Sequence, residues 1–109
     1  MTEIPNLNYI KEVAGGNEEF EQRFLNIIQD EFPKEKEEYL NFLCSGELEE
    51  AGKIVHKIKH KLGILSMNGS YQMAIQYEED LKYGDMKLKE DFFSILQTVE
   101  TFILKNYVS

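Results

Sequence analysis

Apolar residues recur along this chain at spacings of three and four, the period of a helix with one buried face, and never in a sustained alternation of two. Leu7, Ile10 and Val13 predict a short helix stopped by Gly15-Gly16. Asn17 is a good N-cap, Glu18 and Glu19 suit the positive end of a helix dipole, and Phe20, Phe24, Ile27, Ile28 and Phe32 continue the stripe. Pro33 should kink or interrupt that helix, but the pattern resumes with Tyr39, Leu40, Phe42 and Leu43. Residues 17–44 therefore read as one long bent helix, with two shorter helices as the alternative. A third helix spans 47–67, Asn68-Gly69 turns the chain, and Ser70 caps a fourth helix to residue 83 with Met73, Ala74, Tyr77 and Leu81 inward. The last, over 87–106, carries Leu88, Phe92, Ile95, Leu96, Val99, Phe102 and Ile103. The expectation is an all-α single domain over 1–109: an antiparallel up-and-down four-helix bundle with a short N-terminal accessory helix.

The third helix separates two faces. Ala51, Ile54, Ile58, Leu62 and Leu65 form its apolar stripe, while Lys53, Lys59, His60, Gly63 and Met67 cluster around His56 on the opposite side. The helix is acidic at its start and basic later, as its macrodipole favours. Charge sharpens this contrast: the chain has 12 Lys+Arg against 20 Asp+Glu, yet Lys53 to Lys61 contains four lysines, two histidines and no acid. A local basic patch on an acidic protein suits a phosphoryl group or an acidic partner surface.

Other function classes fit poorly. A net charge of −8 argues against a nucleic-acid binder. No secretory segment follows Met1 and no apolar run approaches membrane-spanning length, so a cytoplasmic protein without membrane association is expected. The single cysteine, Cys44, excludes an internal disulfide and reads as packing beside Phe42 and Leu43. Glu35 to Glu38 and Glu78-Glu79-Asp80 read as solvated helix faces and not as an active site. Tyrosines near helix ends are expected to pack with wet hydroxyls.

Around His56 the sequence resembles the histidine-containing phosphotransfer (HPt) domains of two-component phosphorelays. Ile58, Lys59, Gly63 and Leu65 follow the histidine at that family's spacing, and Leu7 to Gly16, Asn17-Glu18-Glu19-Phe20 and Gly46-Glu47-Leu48 are similar to its opening and its turn into the histidine helix. Two positions depart from the pattern, where His60 and Ser66 stand in place of glycines. The resemblance implies a phosphocarrier, not an enzyme, that takes a phosphoryl group on His56 from a receiver aspartate. Lys59 would neutralise phosphoryl oxygens, with help from Lys53. Lys53, Lys57, His60, Gly63 and Met67 would form the docking surface. The implied partners are response-regulator receiver domains and a hybrid sensor histidine kinase. The carrier itself would be a monomeric, free-standing shuttle with no cofactor of its own, the Mg2+ sitting on the receiver.

Alternatives remain beside it. His60 lies one turn from His56 on the same face, although as acceptor it would put Gly63 where the lysine belongs. The pair has zinc-ligand spacing, but a site needs further ligands and the neighbouring lysines repel a cation, so no metal is expected. A domain that docks a receiver without carrying phosphate is the remaining reading, kept open by His60.

Overall fold

The computed structural model describes residues 3–107, those at 106 and 107 by backbone alone, so both ends of the expected 1–109 unit lie outside it. Five helices follow one another: α1 (Asn8–Ala14), α2 (Glu18–Cys44), α3 (Leu48–Ile64), α4 (Asn68–Lys82) and α5 (Lys89–Tyr107). There is no strand among the described residues. None of these helices is long and apolar enough to cross a membrane.

α2 runs unbroken through Pro33, whose ring sits at a solvent-exposed position between buried Phe32 and Glu35. Its N-cap forms as expected, with Asn17 Oδ1 accepting from the Phe20 amide at 3.0 Å. The buried face of α2 is Leu25, Ile28, Phe32, Glu35 and Tyr39. Ile27, expected inward, is 43% exposed, because the core meets the Leu25–Ile28 edge of the helix. Phe20 and Phe24, also expected in the core, are half-buried on its rim, edge to face at 5.1 Å.

α3 makes its most extensive contacts with α4 and then with α2, and α5 covers parts of both α2 and α4. All five residues of the expected α3 stripe are buried. At the centre Tyr39, Tyr77 and Phe92 bring α2, α4 and α5 together with ring centroids 5.1–6.2 Å apart. The Tyr39 and Tyr77 hydroxyls are not wet: they bond each other at 2.6 Å inside the core. Burial pushes both hydroxyls above their ordinary pKa, so both stay neutral. A second polar link joins α2 to α3, where Lys61 Nζ lies 2.8 Å from Glu31 and 3.0 Å from Glu35. Burial opposes the Lys61 charge, but the two carboxylates outweigh it and hold its pKa above the ordinary value. Glu35, expected on a solvated face, is therefore buried as a partner to Lys61.

Four helix ends share one device. After α1, α2, α3 and α4 the chain turns through a left-handed residue: Gly15 (φ 57°), Gly46 (φ 77°), Ser66 (φ 62°) and Gly84 (φ 76°). After α3 the Ser66 amide donates to the Gly63 carbonyl and the Met67 amide to the Leu62 carbonyl, the paired bonds of a Schellman motif. That motif folds its next residue back onto the helix, and Met67 is fully buried as a result. α3 thus ends at Ile64, short of the expected residue 67.

The segment before α1 straps across the α3–α4 turn. The Asn6 amide donates to the Leu65 carbonyl, the Tyr9 amide to Ser66 Oγ, and the Glu3 carboxylate accepts from the Gly69 and Ser70 amides at 2.9 and 2.8 Å. The cap of α4 is therefore Glu3 and not Ser70, because the helix begins at Asn68 and Ser70 already lies within it.

Candidate functional site

His56 stands in the middle of α3, one residue past the buried Val55, with its side chain half exposed. The ring leans toward α4. Glu78, on α4, places its two carboxylate oxygens 3.1 and 3.2 Å from His56 Nδ1. Lys59, one turn further along α3, lies 3.1 Å from Glu78 Oε1 and 3.2 Å from the same Nδ1. α4 passes beside Gly52 at this point: a Cβ there would lie 3.7 Å from the Glu78 carbonyl oxygen, an ordinary contact.

A carboxylate only accepts and an ammonium only donates, so Nδ1 either donates to Glu78 as an N–H or accepts from Lys59, according to the ring's tautomer; with the proton on Nδ1, Lys59 donates to the carboxylate instead. A neutral imidazole with its proton on Nδ1 carries its lone pair on Nε2. Burial, the largest single influence on Glu78, favours its protonated form, yet the bonds from Lys59 and His56 outweigh it and hold the carboxyl below its ordinary value. In that tautomer Nε2 is the ring nitrogen with the free lone pair.

The other nitrogen has a neighbour as well. His60 Nε2 lies 3.3 Å from His56 Nε2, with the two rings edge to face at 83°. With the proton on His56 Nδ1, His60 is the donor of that bond. Glu49, Gly52, Lys53, His56, Glu78 and Lys82 line an open cavity of about 270 Å³ beside the histidine.

The expected site residues do not all gather here. Lys53 lines the cavity, its ammonium 2.9 Å from Glu50. Gly63 is half-buried, its Cα facing the Tyr71 ring, which a Cβ would meet at 3.4 Å. Lys57 is exposed and lies toward α2, where it adds to the stronger effect of Lys61 in lowering the Glu31 pKa. Met67 does not belong to a docking surface, since the turn after α3 buries it completely. The basic patch is also smaller than its sequence suggests, because Lys61 points to Glu31 and Glu35 and Lys59 is paired with Glu78. Cys44, expected to pack, is exposed at the last residue of α2.

Glu78 is the residue that sequence reasoning placed wrongly on a solvated face. A signal was present: it follows Ala74 by four and precedes Leu81 by three, so it flanks the buried stripe of α4, whereas Glu79 is exposed. Asp80 flanks the same stripe and is buried, whereas Glu78 is partly so; Asp80 accepts from Gln76 at 2.7 Å. No protein-family model, curated protein or solved structure matches this chain.

Proposed function

We propose that this protein is a phosphocarrier of the HPt kind, which takes a phosphoryl group on His56 from a receiver-domain aspartyl phosphate and passes it to another receiver. The observation that carries the reading is the contact of Glu78 with Nδ1 of a half-exposed histidine. The Nε2 lone pair attacks phosphorus, the N–P bond forms as the acyl-phosphate P–O bond breaks, and the aspartate carboxylate leaves. The proton already on Nδ1 stays there, bonded to Glu78, so no base is required. Lys59, which rests on the Nδ1 side paired to Glu78, turns from that carboxylate to offset charge on the phosphoryl oxygens, and Lys53 approaches from the preceding turn.

In this reading the helices form an antiparallel up-and-down four-helix bundle with α1 as accessory, and the chain works as a monomeric cytoplasmic shuttle. It needs no cofactor of its own, because the receiver supplies Mg2+ and the catalytic acids. Its partners are response-regulator receiver domains and a hybrid sensor kinase, docking on the α3 face that includes Lys53, His60 and Gly63. A second reading, docking without phosphate, is favoured by one observation: His60 Nε2 sits on the atom that must react.

Transfer from phosphorylated receiver domains to wild type, His56→Gln and His60→Gln, read as acid-labile and base-stable phosphate, separates the two. Loss of label in His56→Gln with retention in His60→Gln is the expected result. Label lost only in His60→Gln would move the acceptor, and no label in wild type despite receiver binding would leave docking alone.

A further inference from the structure

The two histidines on α3 are joined through their Nε2 atoms, 3.3 Å apart. Zinc binds imidazole nitrogen at about 2.0–2.1 Å, and two such bonds at a tetrahedral angle set the nitrogens about 3.3–3.4 Å apart. The rings are nearly perpendicular, 83°, with centroids 4.9 Å apart, and both residues are exposed. A small rotation of each ring turns the shared hydrogen bond into a pair of lone pairs directed at one point in solvent.

We propose that His56 and His60 chelate a zinc ion through their two Nε2 atoms, and that the bound ion occupies the lone pair on which phosphoryl transfer depends. The consequence for transfer rests on the phosphocarrier reading, but the chelate does not. Glu78 already holds His56 Nδ1, and a carboxylate on the far nitrogen is the usual support of a metal-bound histidine. The lysines that argue against a cation are paired: Lys59 is on the Nδ1 side with its charge paired to Glu78, and Lys53, which lines the cavity beside His56, has its ammonium 2.9 Å from Glu50. The net charge of −8 draws cations toward the chain as a whole.

Among the described residues no group of three or more His, Cys, Asp and Glu is placed to hold a metal ion, so water fills the remaining positions. Affinity is then well short of that of a closed four-ligand site. Protons balance without an acid or base. The proton that His60 shares with His56 moves through solvent to His60 Nδ1, both rings stay neutral, and zinc undergoes no redox change.

The test titrates the full chain with zinc chloride alone by calorimetry and by 1H–15N NMR of the histidine rings, using wild type, His56→Gln, His60→Gln and Cys44→Ser. One ion per chain is expected, with affinity about tenfold or more weaker in either histidine variant and unchanged in Cys44→Ser. Magnesium should give no response, because imidazole is a poor ligand for it. Absence of both heat and ring shifts in wild type overturns the proposal, as does binding that survives in both histidine variants or vanishes with Cys44. Zinc should also slow labelling of His56, with chelator restoring it. A chain that takes zinc but never phosphate refutes the carrier reading alone, and one that takes phosphate but not zinc refutes the chelate alone.

Discussion

At the scale of single residues, two polar contacts have separable consequences. Glu78→Gln keeps an acceptor near His56 but removes the charge that selects the Nδ1–H tautomer. The expected result is a labelling rate lower by about tenfold or more with receiver affinity unchanged, measured by transfer kinetics beside a binding titration. Equal loss of binding and rate would make Glu78 a docking residue instead. The Tyr39–Tyr77 pair tests the core. Tyr39→Phe leaves a buried hydroxyl without its partner and should cost about 1–3 kcal/mol in urea unfolding, whereas the double change to Phe should recover part of that loss. Ser66 explains itself at this scale as well. It holds a left-handed conformation that glycine adopts at no steric cost, and in return its hydroxyl accepts the Tyr9 amide. The glycine that the HPt pattern places there has a backbone reason, so its absence is a local substitution and not a change of chemistry.

At the scale of elements, α3 and α4 together carry the residues around His56, and Gly52 lies where the two helices meet. A methyl group there would touch the Glu78 carbonyl and Leu81 Cβ at 3.7 Å, an ordinary contact. Gly52→Ala should therefore keep activity and gain up to about 1 kcal/mol from helix propensity. Gly52→Leu should part the helices, withdraw Glu78 from His56 and lower labelling along with melting temperature. An active Gly52→Leu protein would sever the link between the interface and the site. Periodicity made these elements legible: α1 ends at Gly15, α2 starts at its Asn17 cap, the α3 stripe is the buried face, and so is most of the α5 stripe. It failed where a polar side chain borders an apolar stripe. Glu78, Asp80 and Glu35 share their residue type with solvated carboxylates, and only the packing of a second helix separates them. The burial of Met67 escaped for a related reason, because helical phase was carried past the point where Ser66 leaves the helix.

At the scale of the whole molecule, charge organises stability. Three carboxyls on different elements have pKa values below the ordinary 4.5. For Glu3 and Glu78 burial raises the value but is outweighed, by the Gly69 and Ser70 amides and by Lys59 and His56 respectively; for Glu31 the bond from Lys61 is the main cause. A folded value below the unfolded one gives stability that is complete above the ordinary carboxyl range and lost as pH falls through the folded values. Melting temperature should hold from neutrality to about pH 5 and fall below it, with a shallower acid limb in Glu78→Gln. A flat profile to pH 3 would remove these bonds from the stability of the fold. The strap from Glu3 to Tyr9 has a consequence of another kind. It protects the first amides of α4 with a partner 66 residues away in sequence, a long loop to close for a few hydrogen bonds. Gly69 and Ser70 will thus exchange their amide protons whenever the strap lifts, while Ala74 and Leu81 wait for the core itself to open. The same helix carries two clocks, one wound by the N-terminus and one by the fold.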